Sequence, residues 1–312
     1  MLLLTALACA RYDSVDDACR DLPGASGAPA EAAEVIGRID CYRRFAGADG
    51  ARIVPDVQEA AEAHAAWLAR HGTPHGADWR AEAPDTRGFT GADALERLYT
   101  SGYLVRDVGT AFVWELLLPL GGGYTRPELV DAHLADPFLR DLFLAPGWEA
   151  AGYAEGVDPG GARFGYLEVV TTFPSGTHSL RPVVYPADGQ TGVPPAWRVQ
   201  DPGDPALADL PDVAGFPVSF TFGSNTFGSG SDNPLEVDVL RSELRGPGGL
   251  VPHRIVLPGA DAAGRNRATA ALVPEAPLQP DAEYTWEVAL SWVDVGARVL
   301  TGSFRTGAAA HP

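Results

Sequence analysis

Two folded units of different class are predicted. An α+β unit with α-β-α layering spans residues 29–176 and an all-β sandwich spans 177–308, behind a leader and linker at 1–28. Three observations predict this. A chain of 312 residues is long enough for two cores at roughly 100–200 residues per domain. Between Pro29 and Tyr103 apolar residues recur at helical spacing. After Phe173 that spacing stops, and short alternating runs appear between clusters of Pro, Gly, Asp and Asn.

Composition narrows the partners. Acids number 41 and bases 23, for a net charge of -18, and both halves are acidic. Nucleic acids and anionic lipid surfaces are held by clustered basic residues, so neither is an expected partner. All the bases are arginine. The absence of lysine excludes Schiff-base and P-loop chemistry, both of which need its amine. No apolar run approaches the ~18 residues of a membrane span.

The first ten residues, MLLLTALACA, have the apolar stretch and small-residue ending of a bacterial secretion signal. The missing basic region is explained by a start codon assigned too far downstream. Ala-Leu-Ala-Cys is then an imperfect lipobox, with Cys9 as the lipidated residue anchoring the chain to a membrane; an ordinary cleaved signal is the alternative. A lipid on Cys9 leaves Cys19 and Cys41 to pair as a disulfide, tethering the linker to the first helix.

That helix carries Val35, Ile36, Ile39 and Tyr42 and stops at Gly47. A second is expected from Asp56, with Glu59 completing a capping box and Val57, Ala60, Ala61, His64 and Leu68 on one face. Thr90 and Asp93 open a third, which ends at Gly102. Thr125 with Glu128 opens a fourth, and Asp136-Pro137 closes it and caps a short fifth turn. Phe112 to Leu118 and Phe164 to Phe173 are strand-like. The second unit offers strands at Arg181–Val184, Phe216–Phe222, Val237–Leu244, His253–Leu257, Ala268–Val273, Tyr284–Trp292 and Val299–Arg305. Leu278-Gln-Pro-Asp-Ala-Glu-Tyr284 has the form of a tyrosine corner. The Gly- and Ser-rich run Gly223 to Asn233 is a loop to which no chemistry is assigned.

Three stretches of the first unit resemble the CAP superfamily, named for cysteine-rich secretory proteins, antigen 5 and pathogenesis-related 1 proteins. Ile39-Asp-Cys-Tyr-Arg-Arg-Phe-Ala-Gly47 is similar to its first helix. Ile53-Val-Pro-Asp56 and the helix around Ala61-Glu-Ala-His64-Ala65 are similar to its next segments. Val130-Asp-Ala-His-Leu-Ala-Asp-Pro-Phe-Leu-Arg140 is similar to its Ala-Trp-x-x-Ser-Pro-Gly-His-Arg stretch. The second unit resembles bacterial Ig-like domains through Pro186-Ala-Asp-Gly-Gln-Thr-Gly-Val-Pro194, Leu278 to Thr285, and Phe304-Arg-Thr-Gly307.

The resemblance implies a cleft of two histidines and two acids where a divalent metal such as zinc can bind. His75, in His71-Gly-Thr-Pro-His75-Gly, stands at the first histidine, with His71 as a rival. No Gly-Glu-Asn motif is present, and Glu115, 24 residues before Leu139, has the spacing of the first acid. Asp136 matches the second acid of eukaryotic members, and a helix cap explains it equally well. The second histidine is Leu139, which cannot ligate. With His75, Glu115 and Asp136 alone the metal tetrad is degraded, so no cofactor is expected beyond a weakly held zinc or other divalent cation.

His133 stands at a packing position, and His64 is expected to be a core histidine hydrogen-bonded to backbone. Trp67, Trp79, Trp114 and Trp148 are assigned to the core, and Gly121-Gly122-Gly123 to a loop, since it lacks the GK[ST] ending of a phosphate loop. No nucleophile elbow is present.

The expected function is that of an exported Gram-negative cell-envelope protein, lipid-anchored in the outer membrane, periplasmic or extracellular. It binds or adheres to a protein or envelope ligand without catalysis. A metal-assisted, peptidase-like hydrolase using His75 and Glu115, and a lipid- or sterol-binding protein, are the alternatives.

Overall fold

A computed structural model describes residues 15–20, 27–72, 79–104, 111–121, 123–172, 181–199, 204–223, 234–260, 266–292 and 295–308. The described α-helices lie in the first half: α1 (Val15–Arg20), α2 (Ala30–Phe45), α3 (Pro55–His71), α4 (Ala94–Thr100), α5 (Arg126–Ala135) and α6 (Arg140–Leu144). Three strands accompany them, β1 (Ala111–Pro119), β2 (Trp148–Val157) and β3 (Arg163–Thr172), in one antiparallel sheet of order β1-β3-β2.

Strand alternation divides this sheet into two apolar faces. Leu116, Leu118, Ala151, Tyr153, Leu167 and Val169 pack against Ile36 and Ile39 of α2, Leu134 of α5 and Phe143 of α6. On the opposite face Val113, Ala150 and Val170 meet Val57 and Ala60 of α3 and Leu98 of α4. Leu117, Ala154 and Tyr166 meet Ala61, Ala65 and Leu68 of α3 there. Helices therefore cover both faces of a three-stranded sheet.

Several boundaries differ from those expected. The helix predicted from Asp56 begins at Pro55, whose ring presets the helical φ, and Val54 before it makes no side-chain cap. Asp93 rather than Thr90 caps α4, accepting the Glu96 N–H. Strand β2 was not foreseen because Glu149-Ala-Ala-Gly-Tyr-Ala lacks the β-branched residues that mark strands. Small residues are needed there, since a Cβ on Gly152 would stand 2.4 Å from the Val57 carbonyl oxygen on α3. Helix α1, also unforeseen, is joined to α2 by the Cys19–Cys41 disulfide. A bridge of this kind contributes about 2–4 kcal/mol.

The second half holds β4 (Val183–Tyr185), β5 (Gln190–Val193), β6 (Ala196–Arg198), β7 (Val213–Gly215), β8 (Val218–Thr221), β9 (Val237–Gly246), β10 (Gly249–Leu250), β11 (His253–Val256), β12 (Thr269–Pro274), β13 (Glu283–Trp292) and β14 (Gly296–Thr306). A five-stranded sheet, β10-β9-β13-β14-β5, faces a four-stranded one, β11-β12-β8-β4. Phe220 and Phe222 of the second sheet meet Trp286 and Trp292 of the first at 5.2 and 5.0 Å between ring centroids. The Gln279 N–H donates to the Tyr284 hydroxyl at 2.7 Å, fixing the chain as it enters β13. All seven expected strands are present. The unforeseen β5, β6, β7 and β10 have two to four residues each, too few for a period of two to register.

One core runs through both halves, and Arg140 and Asp141 at the start of α6 tie them together. Arg140 is fully buried. Its Nε donates to the Leu134 carbonyl at 2.6 Å, while Nη1 donates to the Pro217 carbonyl at 2.8 Å and to Ser219 Oγ at 3.0 Å. Its guanidinium lies over the rings of Tyr185 and Phe216. Burial draws this group down to about 10, against the pull of Tyr185 and Asp136, so it stays charged at neutral pH. Asp141 Oδ2 accepts the N–H groups of Arg267 and Ala268 at 2.6 and 2.9 Å.

Arg140→Met keeps the apolar stem but leaves these carbonyls without donors. A loss of about 3–5 kcal/mol is expected, with urea unfolding splitting into two transitions as the halves uncouple. Tryptophan fluorescence and far-ultraviolet circular dichroism check this, and a single undisplaced transition would count against it.

Candidate functional site

Glu115 lies on β1, on the face covered by α3 and α4. Asp136 lies at the end of α5, in the layer on the opposite face. The convergence expected of them does not occur, because the sheet separates them. Asp136 is the buried C-cap residue of α5 and holds the turn that follows: its Oδ1 accepts the Phe138 N–H at 2.9 Å and its carbonyl accepts that of Leu139 at 3.2 Å, while the fifth helix expected from Pro137 begins instead at Arg140, with Leu139 at its N-cap. Leu139 is half-buried just ahead of α6. His75 and Cys9 lie outside the described residues, as does most of the run from Gly223 to Asn233.

The surroundings of Glu115 are polar and ordered. Arg97, projecting from α4, donates from Nη2 to Glu115 Oε1 in a close ion pair, and its Nη1 donates to the Arg80 carbonyl at 2.9 Å. The Tyr166 hydroxyl donates to the same Glu115 oxygen at 2.6 Å. Glu168 is the residue directly opposite Glu115 in the β1–β3 register. It is fully buried; its Oε2 lies 3.4 Å from the Tyr166 hydroxyl and its Oε1 has no hydrogen-bond partner among the described residues.

The electrostatics follow from this crowding. Burial first, and the neighbouring Glu115 carboxylate second, push the Glu168 carboxyl up to about 8, with Arg97 and Tyr166 pulling the other way. Burial and the same two carboxylates push the Tyr166 phenol well above its usual range, so it remains a donor. Arg97 stands above the usual arginine range: burial opposes its charge, but Tyr166, Glu115 and Glu168 outweigh that.

A second buried pair adjoins the first. His64 Nε2 donates to the Trp79 carbonyl at 3.0 Å, and Nδ1 meets Glu82 Oε1 at 2.9 Å. The backbone bond was expected and the carboxylate partner was not. Glu82 Oε2 also accepts the Thr90 N–H at 2.6 Å. Burial works against ionised Glu82, but the bonds from His64 and Thr90 prevail and hold it below the usual carboxylate range. Both His64 ring nitrogens thus face oxygen atoms, one of the Glu82 carboxylate and one of the Trp79 carbonyl. The His64 ring packs edge-on to Tyr166 at 4.7 Å, joining the two clusters.

His133 is half-buried, its Nδ1 donating to the Leu129 carbonyl at 2.8 Å; desolvation lowers its pKa. Among the described residues no group of three His, Cys, Asp or Glu side chains is arranged to hold one metal ion. Arg97, Glu82, Tyr166 and Glu168 escaped the sequence reading. Glu168 did leave a signal, since Phe164-Gly-Tyr-Leu-Glu-Val-Val sets a single charge among residues that are buried on both faces.

Arg97→Met leaves the Glu115 carboxylate buried without its cation. The expected cost is about 3–5 kcal/mol. Denaturant titrations of parent and variant measure it, and an undisplaced midpoint would contradict the assignment.

Comparison with known proteins assigns no family. No family model matches the chain, and no curated protein matches it significantly. Among solved structures, an outer surface protein of Borrelia burgdorferi aligns at 13% identity over 44% of this chain and 90% of its own, with a TM-score of 0.31.

Proposed function

We propose that this is an exported cell-envelope protein of a Gram-negative bacterium, lipid-anchored through Cys9. In it a CAP-like domain (29–176) and an Ig-like sandwich (177–308) together serve binding or adhesion and not catalysis. One observation carries the non-catalytic reading: a fixed guanidinium, that of Arg97, is bonded to Glu115, the carboxylate that metal chemistry would need. A divalent ion there would have to displace a permanent charge already compensated in the interior.

Further support is structural. Helices on both faces of a small antiparallel sheet agree with the CAP-like reading, and two facing sheets with a tyrosine corner agree with the Ig-like one. The Cys19–Cys41 disulfide fits an oxidising compartment outside the cytoplasm. Separation of Glu115 from Asp136, and the leucine at 139, argue against one shared ligand set. The partner fitting this reading is a protein or envelope component met on an acidic, well-solvated surface. A depression between β1 and α5 is rimmed by Arg126 ion-paired to Glu155 and Glu34, which suits a polar contact better than a lipid.

Calorimetric titration of the full chain with zinc is expected to show no stoichiometric site of micromolar affinity, and His75→Ala is expected to behave as the parent. A stoichiometric micromolar site lost in His75→Ala would overturn the reading in favour of a metal-assisted hydrolase. In cells, radiolabelled palmitate is expected on the parent and not on Cys9→Ser, which should leave the membrane fraction.

A further inference from the structure

A depression of about 410 Å³ opens between the end of β1 and the start of α5, within the roughly 300–1,000 Å³ of sites that hold small molecules. Leu120 and Leu129 give it an apolar lining. Its polar lining is Glu34 of α2, Arg126 of α5, Glu155 of β2 and Arg163 at the start of β3. These four groups answer one another. Arg126 donates from Nε and Nη2 to the two Glu155 oxygens at 2.6 and 3.2 Å and from Nη1 to Glu34 at 3.1 Å, and Arg163 lies 3.5 Å from Glu155. The buried Tyr153 adds a bond from its hydroxyl to Glu155 at 3.1 Å.

Tyr124 lines the same depression. It immediately precedes the Thr125–Glu128 capping box, a position from which an apolar side chain ordinarily packs on the fourth helical residue, here Leu129. Leu129 is buried, yet Tyr124 keeps 61% of its surface exposed. The fold therefore leaves most of an aromatic ring uncovered beside a cavity, next to backbone that the capping box holds in place.

We propose that this depression takes an uncharged carbohydrate, with Tyr124 against the apolar face of a sugar ring and the Arg126–Glu155–Glu34 array along its hydroxyl edge. In a chain of net charge -18, a lining of two arginines and two glutamates is balanced. A charged ligand gains little from it, because each unlike charge is already paired and a like charge stands beside it. A sugar hydroxyl both donates and accepts. It can use the guanidinium N–H groups and carboxylate lone pairs that the ion pairs leave over, since a guanidinium has five donors and a carboxylate about four acceptor sites. The C–H face of the ring is apolar area, and the exposed tyrosine covers it. This names the envelope partner within the binding reading and rests on that reading.

The test uses the full chain, 15N-labelled, with three trisaccharides: N-acetylchitotriose, which is uncharged, the cationic glucosamine trimer and anionic trigalacturonate. N-acetylchitotriose is expected to shift the Thr125, Arg126 and Glu155 amides saturably, and the charged trimers are expected to bind more weakly. Tyr124→Ala is expected to weaken the uncharged trimer about tenfold with the urea midpoint unchanged, because the ring is mostly exposed. Equal affinity of parent and variant would overturn the inference, as would tighter binding of either charged trimer. Failure of the uncharged trimer to bind, while the parent still adheres to isolated envelopes, would overturn this inference alone. Trisaccharide binding lost in Tyr124→Ala, without any adhesion to envelopes, would remove the adhesion reading and leave the site standing.

Discussion

The Arg97–Glu115 ion pair sets the terms for the first half of the molecule. A carboxylate on the buried face of a sheet is tolerated only with a cation and hydrogen-bond donors at hand, since desolvation costs several kcal/mol per ion. Arg97 can supply the cation only if α4 lies over β1, and its second nitrogen then captures the Arg80 carbonyl, fixing the segment that follows α3. That segment brings Trp79 and Glu82 to His64, and Glu82 in turn takes up the Thr90 amide just before α4. Sheet, two helices and the connection between them are thus positioned by one chain of charge compensation.

Buried arginine recurs at two further places where irregular backbone meets the core. Arg43 of α2 is fully buried and donates to the carbonyls of Asp49, Phe143 and Ala145, each at 2.8 Å, with its guanidinium over Trp148. Arg140 does the same between the two halves. Each gathers carbonyls that no helix or strand ladder satisfies, which a planar fork of five donors does better than an ammonium. The lysine-free composition does not weaken the fold on this account. Desolvation lowers the Arg43 group to about 9 and Arg140 to about 10, which still leaves both charged near neutrality.

Legibility of the sequence followed the range of the interactions. Helices α2, α3 and α5 and the longer strands were readable because period and caps act within a few residues; the Thr125–Glu128 capping box formed as expected. The disulfide was readable by counting cysteines. Strand β2 was not, because its residues were chosen for close approach to α3 and not for strand propensity, as Gly152 against Val57 demonstrates. The pairs Arg97–Glu115 and His64–Glu82 join residues 18 apart across loops, and nothing local announces them. Asp136 showed the limit of a motif: the helix-capping explanation and the cleft explanation fit the same letters, and only its place on the far side of the sheet separates them.

That separation bears on what the site can do. Metal catalysis needs a carboxylate free to bind an ion and to exchange it for substrate or water. At Glu115 the compensating charge is covalently part of α4 and its pairing holds the core together. Opening the site to a ligand would expose Glu168 and break the contacts on which α4 depends. Chemistry and stability would then compete for the same atoms. Binding has no such conflict, because it can use surfaces that the buried network supports from beneath.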